Sequence, residues 1–212
     1  MATTACSPEL AVGLIVTAYL LGAIPFGLLF ARWLTGKDPR QHGSGNIGAT
    51  NAMRTGGKKV GILTLLADIA KGSLPVALAM SVQKDASVIN AVALAAFLGH
   101  IFPVYLKFKG GKGVATMFGV LIPWLPWVAI GSFIVWLLLF KVTRYVSLAS
   151  IMAGLLLPAL AWGLAQISGE GIETSTLLLC TMLGMLMIFR HYENILRLWH
   201  GEEPRTGSKA SS

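Results

Sequence analysis

Two glycine-rich stretches contain the residues best suited to bind a negatively charged group. The first reads HGSGNIGATN over residues 42–51 and is followed by Arg54. Its glycines leave backbone N–H groups uncovered and permit positive φ angles, so the stretch can wrap closely around an oxyanion. Arg54 can add a bidentate contact to a phosphate. We predict an anion site here; the alternative is a plain flexible connection at a membrane surface.

The second stretch reads KFKGGKG over residues 107–113 and leads into an apolar segment at Val114. A glycine loop with a lysine at the N-terminus of a helix favours anions, because backbone N–H groups and the helix dipole face the loop. It is not a nucleotide-binding P-loop, since Gly113 follows Lys112 where such a loop has Ser or Thr. We therefore do not expect ATP hydrolysis. The alternative is a basic surface loop with a turn.

Polar residues associated with other apolar segments are weaker candidates. His191 and Asn194 are three positions apart, so they share a face if a helix runs through them, and both can hydrogen-bond a phosphate or a hydroxyl. A single His at a membrane interface more often has no ligand, and Ser150 would by default hydrogen-bond to its own backbone. Asp68 and Lys71 also share a helical face. Their spacing predicts a polar face directed into the bundle or toward its cytoplasmic mouth. The alternative is an ion pair that only braces the bundle.

Several common catalytic patterns are absent from the sequence. No His is followed five positions later by Asp, so the His-Asp dyad of acyl-CoA-dependent glycerolipid acyltransferases is missing. There is no Gly-x-Ser-x-Gly nucleophile elbow. No carboxylate cluster indicates a metal, and Cys6 and Cys180 are too far apart to suggest a disulfide framework. We predict no metal and no organic cofactor.

The composition indicates that lipid is the solvent for most of the protein surface. Apolar residues make up 55% of the 212-residue chain and charged residues only 12%, about half the usual share for a soluble domain. Mean hydropathy is +0.70. These values exclude a disordered chain and an ordinary soluble enzyme. The net charge of +8 is better explained by basic cytoplasmic loops and anionic ligands than by a nucleic-acid partner.

Seven apolar stretches predict an all-α integral membrane protein, a bundle of seven transmembrane helices. Most of them approach the roughly 20 residues that a helix needs to cross the hydrocarbon. The fourth is short and could instead be a re-entrant half-helix. The stretches cover residues 9–34, 60–82, 87–106, 114–125, 127–141, 146–168 and 172–189.

The basic residues predict the orientation of this bundle. Fifteen of the 17 Lys and Arg residues fall in alternate loops or the C-terminal tail, which places those loops in the cytoplasm and the N-terminus outside. A six-span arrangement would put similar basic loops on opposite sides. Residues 1–8 lack Lys and Arg, so we expect no cleaved signal peptide. We predict one domain over residues 1–206, and a disordered tail or expression remnant over 207–212.

Taken together, the motifs resemble those of one family, the bacterial acyl-phosphate-dependent glycerol-3-phosphate acyltransferases. The similarity covers nearly the whole chain in order, and the combination of motifs is highly specific. The matching stretches are GSGNIGATN at 43–51 with Arg54, DIAKG at 68–72, GHIFPVY at 99–105, FKGGKGVAT at 108–116, RYVSLAS at 144–150 and RHYENILR at 190–197.

The resemblance implies a reaction and a set of site residues. The reaction is transfer of a fatty acyl group from acyl phosphate to the 1-hydroxyl of glycerol 3-phosphate, at the cytoplasmic face of the bacterial inner membrane. The products are lysophosphatidate and phosphate, in the first acylation of phospholipid biosynthesis. A soluble enzyme that produces acyl phosphate is an expected partner. The resemblance assigns glycerol 3-phosphate to Arg54, Lys112, Ser150, His191 and Asn194. It assigns the acyl phosphate head group to Ser44, Gly45, Asn46, Gly48, Thr50, Asn51, Gly110, Gly111 and Gly113.

The implied chemistry needs no covalent acyl-enzyme, because an acyl phosphate already has a good leaving group. We expect direct attack, with either the substrate's own phosphate or His191 accepting the hydroxyl proton. From the residues alone, an anion transporter or channel is the main alternative, and a scaffold that recruits soluble enzymes is another. The polar residues gather at one predicted membrane face and no inverted repeat is visible, which argues against a transporter.

Overall fold

The computed structural model describes residues 7–169 and 171–207, and all regular structure in them is helical. The chain divides into two compact units, Met1–Leu125 and Pro126–Ser212. The prediction of a single domain over residues 1–206 stays a prediction. The predicted tail lies outside the described residues except for Gly207, as does Cys6.

The first unit contains five α-helices within residues 7–125. The first predicted span is interrupted, because the helix breaks over three residues before it resumes at Phe26. Pro25 explains the break, since it has no N–H to donate and disfavours helical geometry in the residue before it. The helices are α1 (Pro8–Gly22), α2 (Phe26–Thr35), α3 (Ala49–Val82), α4 (Ala86–Ile101) and α5 (Val114–Trp124).

Helix α3 begins earlier than the sequence indicated. We predicted an apolar segment from residue 60, but the helix starts at Ala49 and so includes Thr50, Asn51 and Arg54, which we had placed in a loop. Most of the extra residues are polar or glycine, and apolar length alone does not detect a helical extension of a membrane segment. The extension is set off by Gly57, whose φ of 85° and ψ of 176° break the helical geometry.

Glycines bring helices of the first unit into backbone contact. A Cβ atom at Gly22 of α1 would collide with the backbone carbonyl of Ala96 in α4. A Cβ atom at Gly99 of α4 would collide in turn with the carbonyl of Tyr19. Such close approach is typical of membrane helices, which associate through van der Waals packing of small residues because lipid supplies little hydrophobic driving force between them.

The described part of the second unit contains four α-helices. Helices α7 and α8 pack closely through glycines, since a Cβ atom at Gly184 would collide with the carbonyl of Gly154. Helix α9 follows α8 directly at a bend of 58°. The helices are α6 (Pro126–Thr143), α7 (Val146–Ser168), α8 (Thr174–Arg190) and α9 (Tyr192–Trp199).

The lengths of the apolar helices define an integral membrane protein. Within the described residues, five segments are long and apolar enough to cross a membrane, with α1 and α2 together forming one of them. A sixth results if the bent α8–α9 pair is one span. Helix α5 has 11 residues, which corresponds to about 17 Å, roughly half the hydrocarbon thickness. The helical membrane fold is confirmed, and the count of seven spans stays a prediction.

We predict that Gly22→Ala and Gly13→Ala, both in α1, shift stability in opposite directions. A Cβ atom at Gly22 must displace the α4 backbone, which should cost about 1–3 kcal/mol. No atom lies within 4 Å of the position of a Cβ at Gly13, so alanine there should stabilise the helix by about 0.5–1 kcal/mol. Thermal unfolding in detergent measures both changes. Equal shifts for the two variants would contradict the close contact.

Candidate active site

Asn51 organises the first glycine loop. Its side chain is buried in the first turn of α3, and its Nδ2 group lies within 3.0 Å of three carbonyl oxygens, those of Pro39, His42 and Asn46. Its Oδ1 atom accepts a hydrogen bond from the Ser44 N–H at 3.0 Å. The Asn51 side chain thus fixes the loop backbone around itself. Its predicted role as a ligand of the acyl phosphate stays a prediction.

The loop has the tight backbone that its glycines predicted. Gly43 has a φ of 61°, and a side chain there would collide with Oδ1 of Asn51. The Gly48 N–H donates to Oδ1 of Asn46 at 2.8 Å, which completes the turn into α3. Ser44, Gly45 and Thr50 are exposed and remain accessible to a ligand.

Arg54 is the arginine near this loop that is available for an anion. Arg32 and Arg40 each hold Asp38 with an ion pair of 2.7 Å. The hydrogen bond from Arg40, assisted by Arg32, holds the pKa of Asp38 well below its usual range. Arg54 is exposed, one turn beyond Asn51, and has no ion pair within the part of the chain that the structure describes.

The second glycine loop leads into helix α5 as predicted. Gly113 precedes the helix with a φ of 87°, a conformation that strains other residues, and its Cα packs against the ring of Phe97. The half-buried Lys112 precedes this glycine. The first turn of α5 therefore directs N–H groups and the positive end of its dipole toward the loop that contains Lys112. The arrangement is suited to binding an oxyanion.

The second unit places His191 and Asn194 around the bend between α8 and α9. Their spacing predicts a shared face only if one helix runs through both, and here α8 ends at Arg190 and His191 occupies the bend. Nδ1 of His191 lies 2.8 Å from the carbonyl oxygen of Met187. Because a carbonyl can only accept, Nδ1 donates, and Nε2 of the neutral ring is the acceptor nitrogen.

Glu203 is a residue near this bend that the sequence reasoning missed. It accepts hydrogen bonds from Nδ2 of Asn194 at 2.6 Å and from Nε of Arg197 at 2.8 Å. Burial raises the pKa of its carboxyl, but the hydrogen bonds that it accepts outweigh burial and leave the pKa below its usual value. The available signal was a pair of donors, Asn194 and Arg197, that share one face of α9 and need an acceptor.

Ser150 has the structural hydrogen bond that is the default for a membrane serine. Its hydroxyl donates to the carbonyl of Val146 at 2.8 Å and accepts from Nε1 of Trp136 at 3.0 Å. The residue is fully buried. Its role as a ligand of glycerol 3-phosphate stays a prediction. Among the residues that the structure describes, no group of three or more His, Cys, Asp or Glu could hold a metal ion.

The apolar helices with two anion-suited loops define a class, that of integral membrane proteins equipped to bind oxyanions. Comparison with known proteins narrows the class to one family. The profile described as glycerol-3-phosphate acyltransferase matches residues 12–201. The glycerol-3-phosphate acyltransferase of Glaesserella parasuis serovar 5 (strain SH0165) is 45% identical over 202 residues, which cover 94% of each chain.

Two solved structures agree with this assignment. Both are of PlsY (YgiH), described as an integral membrane glycerol 3-phosphate acyltransferase. Its glycerol 3-phosphate form has a TM-score of 0.84 and 45% identity, covering 93% of this chain and 96% of that chain. Its lysophosphatidic acid form has a TM-score of 0.82 and 43% identity, covering 93% and 95%. The chain belongs to the glycerol-3-phosphate acyltransferase family, so the predicted resemblance and the enzyme class are confirmed.

We predict that Glu203 makes stability depend on pH in acid. Its pKa is lowered in the folded state, so its stabilising contribution is complete above the ordinary value of 4.5 and is lost as the pH falls through the lower folded-state value. Glu203→Gln should remove this part of the pH dependence, whereas the exposed Glu202→Gln should retain it. Thermal unfolding measured between about pH 3 and 7 tests both variants. Identical profiles for the wild type and Glu203→Gln would refute the assignment.

Proposed function

We propose that the protein transfers a fatty acyl group from acyl phosphate to the 1-hydroxyl of sn-glycerol 3-phosphate. The products are lysophosphatidate and inorganic phosphate. The observation that carries the proposal is that PlsY, at 43–45% identity over nearly the whole chain, has a glycerol 3-phosphate form and a lysophosphatidic acid form. These two molecules are the acceptor and the product of one acyl transfer.

The choice of acyl phosphate as donor is supported by the residues present and absent. The His-Asp dyad used with acyl-CoA is missing from the sequence. An acyl phosphate is a mixed anhydride, so its phosphate leaves without a covalent acyl-enzyme. Two phosphate groups must then be bound near each other despite their repulsion, and cationic side chains with backbone N–H groups meet that need. Both glycine loops of the first unit offer this combination.

The proposal assigns roles to side chains in both units. Arg54 and Lys112 bind phosphate oxygens of glycerol 3-phosphate through charge-assisted hydrogen bonds. The family resemblance also assigns His191, Asn194 and Ser150 to glycerol 3-phosphate. The head group of acyl phosphate is bound by the first and second glycine loops, where the side chains of Ser44, Asn46 and Thr50 donate and Gly45, Gly48, Gly110, Gly111 and Gly113 let the backbone approach the ligand. Asn51 contributes by fixing the first loop, which its hydrogen bonds support.

The proposed chemical step is direct attack. The 1-hydroxyl oxygen forms a bond to the acyl carbonyl carbon, and the bond from that carbon to the phosphate oxygen breaks. The hydroxyl proton passes to the phosphate group of the acyl phosphate, which leaves as hydrogen phosphate. N–H donors stabilise the oxyanion that develops on the carbonyl oxygen. The alternative proton acceptor is His191, because Nε2 is the acceptor nitrogen of its neutral ring.

The proposed topology has seven spans with the N-terminus outside and the C-terminus in the cytoplasm. It requires α5 to complete a passage despite its short helix. If α5 did not cross, the basic loops at residues 107–112 and 141–144 would lie on opposite sides of the membrane. Such an arrangement would go against the bias that retains basic loops in the cytoplasm. The proposal puts the site at the cytoplasmic face of the bacterial inner membrane, where a soluble enzyme that makes acyl phosphate can supply the donor.

The function is tested with purified protein in lipid, given acyl phosphate and glycerol 3-phosphate. We expect lysophosphatidate and phosphate to appear in equal amounts. Parallel reactions with acyl-CoA and with an acylated carrier protein test the choice of donor. Product formation from either of these, without any from acyl phosphate, would refute acyl phosphate as the donor. The assignment to the acyltransferase family would still stand.

We predict that Arg54→Ala and Lys112→Ala each lower kcat/KM for glycerol 3-phosphate without unfolding the protein. Losing one charge-assisted contact to phosphate should cost about 1.5–3 kcal/mol, which is roughly 10- to 150-fold. Lys58→Ala and Lys109→Ala are matched controls, because both are exposed cations in the same segments. Near-normal kinetics for both Arg54→Ala and Lys112→Ala would remove these residues from the site.

We predict that His191→Ala retains most of kcat, because a substrate phosphate accepts the proton. A general base would instead contribute about 10²–10⁴-fold to kcat with little change in KM. The measurement is kcat and KM at saturating acyl phosphate, with thermal unfolding to confirm that the bend between α8 and α9 is retained. A loss within the general-base range in a folded variant would assign the proton transfer to His191.

A further inference from the structure

Three ionisable side chains form a buried string within the first unit. Asp68 and Lys71 on α3 make an ion pair of 2.8 Å, and each side chain is only 3% exposed. The same Oδ1 atom of Asp68 lies 3.7 Å from Nδ1 of His100, at the end of α4. Burying such charges costs free energy that the ion pair alone often does not recover. The ion pair between Asp68 and Lys71 joins neighbouring turns of α3, and it does not by itself explain why His100 is buried beside it.

The Lys71 end of the string is fixed by a helix break. Nζ of Lys71 donates to the carbonyl of Ile24, between α1 and α2, at 2.8 Å. It also lies 5.8 Å from the centre of the Phe26 ring, a distance compatible with a cation–π interaction. The ammonium group therefore has a defined position, and it holds the Asp68 carboxylate on the side facing His100.

The His100 end of the string supports the second glycine loop. A Cβ atom at Gly111 would collide with Nε2 of the His100 ring, so the loop backbone lies directly against the imidazole. The Gly111 N–H donates to the carbonyl of His100 at 3.2 Å. A Cβ atom at Gly110 would collide with the same carbonyl. The side chain and the backbone of His100 thus fix the residues that immediately precede Lys112.

We infer that His100 and Asp68 are positioning residues for Lys112. The string from Lys71 through Asp68 and His100 to Gly111 sets the loop backbone before substrate arrives, so that the Lys112 ammonium is held where it binds phosphate. Preorganised support of this kind reduces the ordering that binding would otherwise require. The inference rests on the proposed function, because it needs Lys112 to bind a substrate anion.

The test is a double-mutant cycle between His100→Ala and Lys112→Ala, with kcat and KM for glycerol 3-phosphate measured for all four proteins. We expect His100→Ala to lower kcat/KM about tenfold, mainly through KM, and to have little further effect once Lys112 is alanine. If the effects of the two substitutions on kcat/KM are fully additive in folded proteins, this inference is refuted while the proposed function is not. If Lys112→Ala leaves kcat/KM unchanged, the phosphate assignment of the proposed function and this inference both fail.

A second cycle tests the contact itself. Gly111→Ala should lower kcat/KM strongly in the wild type, because its Cβ meets the His100 ring. The same change should cause a much smaller loss in His100→Ala, since the three atoms nearest to that Cβ all belong to the ring. An equal loss in both backgrounds would show that His100 does not support the loop.

Variants that separate positioning from stability complete the experiment. Thr64→Val is the matched control, because Thr64 is fully buried one turn before Asp68 and donates only within α3, to Val60. It should leave kcat/KM unchanged. If His100→Ala does not fold, His100→Asn replaces it in both cycles, since its amide retains a donor toward Asp68 but does not reach Gly111. Activity loss in Thr64→Val equal to that of His100→Asn would attribute the effect to packing and overturn the inference.

Discussion

Hydrocarbon supplies no hydrogen-bond partners, so a carbonyl released where a membrane helix breaks needs a donor from the protein itself. The chain meets this constraint at three breaks with side chains. Lys71 donates to Ile24 and the Tyr19 hydroxyl donates to Phe102 at 2.7 Å, both in the first unit. In the second unit, Nδ1 of His191 contacts the carbonyl of Met187. Each break thereby fixes the position of a polar side chain.

This constraint links the helix breaks to the residues proposed for chemistry. Lys71 satisfies the break after α1 and also holds Asp68, which faces His100. His191 satisfies the end of α8, and the same hydrogen bond selects the tautomer of its ring. Interrupted helices are costly in a membrane, but here they determine where the titratable groups lie and which of their atoms donate.

Glycines act in two ways that share one physical basis. In the helices they permit backbone contact, as at Gly22 and Gly99, and in the loops they permit the backbone to lie against a side chain, as at Gly111 against His100. In both cases the absence of Cβ is what the structure requires. The backbone of the second loop is therefore held against the end of α4, while Ser44, Gly45 and Thr50 of the first loop stay exposed.

Much of the architecture was predictable because a helix that crosses lipid must be long and apolar. Apolar segments gave the membrane fold, and the start of α5 at Val114 followed from its glycine loop. The helical extension before residue 60 was missed, because polar residues at a membrane surface form helix as readily as loop. The roles of Asn51 and Glu203 were also missed. Both depend on which backbone or side-chain groups the fold brings to them, and that information is not local in the sequence.

The hydrogen bonds around Glu203 have a consequence for the order in which the enzyme matures. Glu203 follows the last described helix, yet it holds the amide of Asn194, and the backbone N–H of Thr206 donates to the carbonyl of Arg144 at 2.9 Å. The ribosome therefore delivers these partners only after all nine described helices have been translated. A chain truncated before Glu203 would retain every one of those helices but would lack the carboxylate that holds the Asn194 amide, so the segment after the last described helix completes the hydrogen bonds of α9.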